Sequence, residues 1–169
     1  MLISHDDSEY SADVMLAIAS EVVKVALEQE LLVKGAVACG EFTADYETSI
    51  FFGKPIIQAS QLEEELKSPC IVLHHSCEKK LSELSYKHEN PLKNGRCFTH
   101  KTNLKQGSVN HTHINWLSSI VFVSESPKEE LYEKYKSLIE KVYLQASGHS
   151  RVYIDNAKAY IDVCYKNIK

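Results

Sequence analysis

The sequence has no surplus of basic residues, no long apolar run and no cysteine framework, and each absence removes a class of function. Its 19 Lys and Arg stand against 23 Asp and Glu, a formal net charge of −4. Affinity for a phosphate backbone rests on a cationic surplus, so no nucleic-acid partner is expected. No apolar stretch approaches the roughly 20 residues needed to cross a bilayer, so no membrane partner is expected either. The opening MLISHDDSEY lacks the basic and long apolar regions of a secretory signal. The five cysteines, Cys39, Cys70, Cys77, Cys97 and Cys164, are odd in number and without framework spacing. Several sit in apolar contexts, the pattern of reduced, buried thiols in a cytoplasmic protein. Walker loop, Rossmann fingerprint, serine-hydrolase elbow, internal repeat and low-complexity segment are all missing.

What is present is an ordinary globular composition, 44% hydrophobic and 25% charged over 169 residues, enough for one domain with a real core. Met1–Ser4 is short and apolar and reads as the end of a strand whose hairpin partner would lie upstream. From Ser11 to Leu32 apolar residues recur at helical spacing (Val14, Ile18, Val22, Val25, with Met15, Leu16, Ala19 and Ala26 offset), and Ser11 is the expected N-cap. Val33–Cys39 is small and apolar apart from Lys34 and predicts a central strand. Glu41–Tyr46 and Ser49–Phe52 predict a hairpin around Asp45–Thr48. Lys54–Leu66 predicts a helix burying Ile56, Ile57, Ala59, Leu62 and Leu66, and Cys70–His74 a strand.

Glu78–Tyr86 predicts a short helix, and residues 87–113 a polar loop with room for one short strand. Ile114–Val123, carrying the single Trp116, predicts a strand. Pro127–Gln145, capped by Ser126, and Val152–Tyr165 predict two amphipathic helices. The mixture of strands and helices places the chain in the α+β class.

The segment Val33–Glu63 carries the most specific pattern. Lys34, Val37, Gly40 and Glu41 are followed by a hairpin, then by Gly53, Ala59, Leu62 and Glu63, and an Ile71–Leu73 strand follows. This succession resembles the second half of a class III nucleotidyl cyclase domain, of a divergent bacterial type, over roughly residues 1–76. The resemblance implies a truncated cyclase-like, ferredoxin-like-derived sheet with helices on one face. It places that core at residues 1–123 and a C-terminal helical extension, packed on the same domain, at 124–169.

Position by position, the resemblance puts the base-contacting Asp of such cyclases at Lys54, the ribose-orienting Asn at Ile57 and the charge-stabilising Arg at Gln61. Ile57 has no hydrogen-bonding group and Gln61 no charge. Losing one preorganised contact of this kind costs about 3 kcal/mol of barrier. The two metal-binding Asp residues of the family would precede Met1–Ser4, and Asp6 and Asp7 fall after that strand. The implied function is therefore a non-catalytic cyclase-homology domain, a pseudoenzyme acting as an interaction or sensing module through homo-oligomerisation, without a cofactor. The alternative is a nucleotide-binding protein, using Glu41, Lys54 and Gln61, or a cyclase whose Mg²⁺-binding residues come from a cyclase-like partner subunit.

Further constellations have plainer readings. Cys70, His74, His75 and Cys77 read as polar residues at a strand exit, with a metal site or a nucleophilic Cys77 as alternatives; in an extended strand His74 and His75 face opposite ways. His111 and His113 are a second pair, and with Lys101 and Lys105 they could touch an anion. Asp6-Asp7-Ser8-Glu9 reads as a solvated helix-entry turn. Tyr132, Tyr135, Tyr143, Tyr153, Tyr160 and Tyr165 read as core or subunit interface before base stacking.

Overall fold

Helix α1 (Glu9–Glu28) leads into strand β1 (Gly35–Val37), a hairpin of β2 (Phe42–Asp45) and β3 (Ile50–Gly53), and helix α2 (Lys54–Glu65). Then come β4 (Ile71–Leu73), α3 (His75–Glu83), a second hairpin of β5 (Cys97–Leu104) and β6 (Gly107–Ile114), and helices α4 (Trp116–Val123), α5 (Lys128–Gln145) and α6 (Ser150–Lys166). This computed structural model describes residues 1–84 and 90–169. Among the described residues, four strands form a mixed sheet in the order β1-β4-β6-β5, and β2 pairs with β3 alone. Strand β1 runs parallel to β4, and the other neighbours are antiparallel. The class is mixed α and β, and no helix among the described residues is long and apolar enough to cross a membrane.

Residues 1–4 form no strand; they lead into the turn that starts α1. The cap of that helix is Ser8, three residues before the expected Ser11: the Ser8 hydroxyl accepts from the Ser11 amide at 3.2 Å. Asp6 fastens the turn, accepting from the Ser8 amide, the Ser8 hydroxyl and the Ser11 hydroxyl. Those donors, the Ser11 hydroxyl first, hold its carboxyl well below the usual carboxylate range. The acidic turn is thus a helix cap. The helix buries Leu16, Ala19, Val23 and Leu27, whereas Ile18, Val22 and Val25 are exposed. Apolar recurrence on α1 is therefore double, one stripe inward and one outward.

The expected central strand Val33–Cys39 narrows to Gly35–Val37 and lies at the sheet's edge. The centre belongs to β4, whose three residues are all buried. Successive strand side chains point to opposite faces, so the sheet is covered on both sides at β4. Helix α3 starts at His75 and ends at Glu83; the expected continuation to Tyr86 lies outside the described residues.

Two expectations fail between residues 90 and 123. Most of the polar segment expected as loop is the β5–β6 hairpin, eight residues a side, paired from Cys97↔Ile114 to Leu104↔Gly107. Phe98 and Thr102 share a buried face while Thr99 and Lys101 on the other are exposed, so polar outward residues hide the strand period. The expected Ile114–Val123 strand is a strand only at Ile114; from Trp116 it is helix. Asn115 makes the switch, its side chain accepting from the Ser118 amide at 3.2 Å and donating to the Cys164 carbonyl at 3.1 Å. Helix α5 begins behind Pro127, with no side-chain cap from Ser126.

One buried cluster joins α1, β4, α4, α5 and α6. Trp116 packs edge-on against Tyr135, ring centres 5.3 Å apart. The tyrosines fasten helices to the core and to each other: Tyr160 donates to the Ile114 carbonyl, Tyr132 to Asp162, Tyr135 to Glu28 and Tyr165 to Glu129. Tyr143 lies under the Lys158 ammonium, 3.4 Å from its ring centre.

Candidate functional site

The residues of the Val33–Glu63 pattern meet where β1, the β2–β3 hairpin and α2 converge. Lys34, just before β1, places its ammonium 3.1 Å from the Glu63 carboxylate, and donates to the Glu63 carbonyl at 2.9 Å and the Leu66 carbonyl at 3.4 Å. Carbonyls at the end of a helix have no partners within it, and a cation there also meets the negative pole of the dipole. Lys34 thus closes the C-terminal end of α2. Gly53 joins β3 directly to α2; a β-carbon there would stand 2.5 Å from Phe42 Cβ and 2.7 Å from Phe42 Cα.

Helix α2 exposes one continuous stripe. Lys54, Ile57 and Gln61 occur at i, i+3 and i+7, so they share a face, with Lys54 and Gln61 about 10 Å apart along the axis. All three are exposed, Ile57 at 59%. The expected burial of Ile57 is overturned: the chain turns Pro55 inward and half-buries Ile56, Ala59 and Leu62. Glu41 is exposed at the root of the hairpin, its carbonyl against Gly53 and so close to Lys54. The fold therefore brings Glu41 and Lys54 to the hairpin root, with Gln61 two turns away on the same stripe. The stripe offers one ammonium, one amide and an apolar side chain between them.

No family model, curated protein or solved structure matches this chain.

The histidines and cysteines sort into two places. His74 caps α3, its ring accepting from the Ser76 amide and lying 2.9 Å from the Ser76 hydroxyl. Because the strand stops at Leu73, His74 and His75 do not diverge as they would in an extended strand; their rings stand 3.9 Å apart, centre to centre. Burial, then His75 beside it, pushes the His74 imidazole down from its ordinary value. His113 is buried on β6, its Nε2 2.7 Å from the Thr102 hydroxyl and its ring stacked on Phe98, while Nδ1 has no hydrogen-bond partner among the described residues. Burial, with His100 and His111 adding to it, pushes His113 down to about 3, so it is neutral at physiological pH. Among the described residues, no three His, Cys, Asp or Glu side chains converge to hold a metal ion.

Sequence reasoning missed two features. Cys39 and Cys77 come side by side where β1 ends and α3 begins, with the Cys39 amide donating to Ser76, which only the parallel register of β1 and β4 reveals. The second feature is an apolar surface where α1 meets α4. Phe122 is 90% and Val123 77% exposed at the end of α4, and the α1–α4 groove is lined by Ala17, Ile18, Ile120 and Val123. The double recurrence on α1 was the sequence signal for it.

Proposed function

We propose that this chain is a non-catalytic, cyclase-homology interaction module that works by pairing with a second copy of itself. The observation that carries the reading is the outward apolar surface of α1 and α4, with Phe122 almost wholly in water beside Val123 and the groove against Ile18. Burying one such aromatic ring gains about 2–3 kcal/mol, and an exposed patch of this kind is the ordinary mark of an association surface. The α2 stripe supports the non-catalytic half of the reading. With Ile57 and Gln61 in the ribose and phosphate positions implied by the cyclase resemblance, it lacks the groups that would orient a nucleotide or offset its charge.

Two measurements test it. Sedimentation velocity over a concentration series should show a reversible dimer, and a monomer at the highest concentration would overturn the pairing. Calorimetric titration with ATP, GTP and cyclic nucleotides, with and without Mg²⁺ or Mn²⁺, should give no heat. Micromolar binding that is lost in Lys54→Ala would establish the nucleotide-binding alternative in its place.

A further inference from the structure

The five cysteines differ sharply in setting. Cys70, Cys97 and Cys164 are buried in the core, and burial pushes the first two thiols up to about 12 and the third higher still. Cys39 is only half-buried and stands two residues beyond β1. Val37 pairs with Leu73, and the His74 amide donates to the Val37 carbonyl at 2.8 Å, so the chain after β1 runs alongside the start of α3. The Cys39 amide then donates to the Ser76 hydroxyl at 3.0 Å. This fixes Cys39 beside the next residue, Cys77, which is 4% exposed in the first turn of α3.

We propose that Cys39 and Cys77 are a redox-active dithiol, with Cys39 the attacking thiolate toward a hydroperoxide and Cys77 the resolving thiol. The Cys39 amide on Ser76 sets Cys39 beside Cys77, and Cys77 as a donor, opposed by partial burial, draws the Cys39 thiol down from its ordinary value. The Lys80 ammonium adds to this, while Asp7, paired with Lys80, opposes it weakly. Cys77 is held up in turn, first by Cys39 and then by burial. Thiolates are the reactive species, so Cys39, the less buried member of the pair, is the one poised to react.

In the first step Cys39 sulfur attacks the terminal peroxide oxygen. The S–O bond forms, the O–O bond breaks, and the departing alkoxide takes a proton from water to leave as an alcohol. Cys39 is now a sulfenic acid and no longer an anion holding Cys77 protonated. Cys77 then loses its proton and attacks the Cys39 sulfur; the S–S bond forms and hydroxide leaves, protonated, as water. Two thiols are oxidised and one peroxide is reduced, and an external dithiol reverses the change. The bond ties the root of the β2–β3 hairpin to α3.

The test is peptide mapping of the full chain after treatment with equimolar hydrogen peroxide and alkylation of the remaining thiols. One intramolecular Cys39–Cys77 disulfide is expected, reversed by dithiothreitol, with Cys70, Cys97 and Cys164 alkylated. A bond to any other cysteine or between chains, or Cys77 left free beside an unmodified or overoxidised Cys39, overturns the proposal. Cys77→Ser should stop at a Cys39 sulfenic acid that dimedone traps. Wild-type labelling kinetics give an arm that needs no variant. Iodoacetamide should modify Cys39 at least about tenfold faster than any other cysteine, with a pH midpoint below the ~8.5 of a free thiol. Equal rates would sink the assignment.

Discussion

Lys34 and Glu63 form one joint: the ammonium lies 3.1 Å from the carboxylate and donates to the main-chain carbonyl of the same residue at 2.9 Å. Both positions belong to the Val33–Glu63 pattern, and they serve the scaffold by locking the end of α2 to the entry of β1. Lys34→Met keeps the aliphatic stem and removes the charge, taking one donor from each of two carbonyls, of which that of Glu63 keeps the Leu66 amide. Since the pair is about one-third exposed, the expected loss is about 1–2 kcal/mol of unfolding free energy. A urea midpoint unchanged from wild type would show that the joint contributes nothing.

Gly53 is the second scaffold residue with a definite cost. Its φ of 156° lies in the region that favours glycine, and a β-carbon would press on the Phe42 main chain. Main-chain atoms cannot swing aside as a flexible side chain does, so Gly53→Ala must part the β2–β3 hairpin from the start of α2. A loss of about 2–4 kcal/mol is expected, read as a lower thermal midpoint. Gly107→Ala is the control: it also has positive φ, but its β-carbon would meet open space, and a smaller loss is expected there.

What was legible in the sequence follows from these cases. Elements whose burial repeats at one clear period were readable: α6 turns Ile154, Ala157, Tyr160, Ile161 and Cys164 inward as its spacing predicts. The β2–β3 hairpin was readable from its turn, where Asp45 accepts from the Glu47 and Thr48 amides. Residues 97–114 were not, because a hairpin with one watery face places Thr, Lys and Asn where a loop would also have them. Ile57 was misplaced because helical spacing counts apolar residues without saying which stripe meets the core. At the candidate site, sequence could propose Glu41, Lys54 and Gln61 singly. That Glu41 and Lys54 share the hairpin root, and that Cys39 reaches Cys77, depends on strand register, which no local pattern encodes.

The buried His113 sets a pH dependence. Its folded-state value of about 3 lies below the 6.5 of the unfolded chain. The unfolded state therefore binds more protons between those values, and stability falls as pH drops from 6.5 toward 3. The slope is about 1.4 kcal/mol per pH unit, or about 2 kcal/mol between pH 6.5 and 5, where most carboxylates still contribute little. Chemical denaturation at both pH values should show that difference shrink in His113→Leu. An equal difference in variant and wild type would place the effect elsewhere.

The association surface makes a separable prediction. Phe122 and Ile18 are exposed, so Phe122→Asp and Ile18→Asp should leave monomer stability within about 0.5 kcal/mol of wild type. Each puts a carboxylate into an apolar contact, where an unpaired charge costs far more than the lost area. Both variants should sediment as monomers at concentrations where wild type is dimeric. Ile57→Asp, on the α2 stripe, distinguishes the two exposed surfaces: a dimer that survives it pairs through α1 and α4, and one lost only there pairs through α2.

Asn115 is the residue on which the strand-to-helix switch turns, and it is wholly buried. Its carbonyl oxygen caps α4 by accepting from Ser118, and its amide nitrogen holds the Cys164 carbonyl near the end of α6. Asn115→Ala removes the cap, worth about 1 kcal/mol as the Ser118 amide loses its acceptor, and leaves the buried Cys164 carbonyl unpaired at about 1–3 kcal/mol. A total loss of about 3 kcal/mol is expected. Asn115→Asp separates the two roles, because a carboxylate still caps a helix N-terminus but cannot donate to Cys164 while ionised. It should therefore recover the cap alone, show hydrogen exchange faster than wild type at the end of α6, and lose that difference once acid protonates the side chain. Exchange at α6 as slow as wild type at neutral pH would mean that Asn115 acts only on α4.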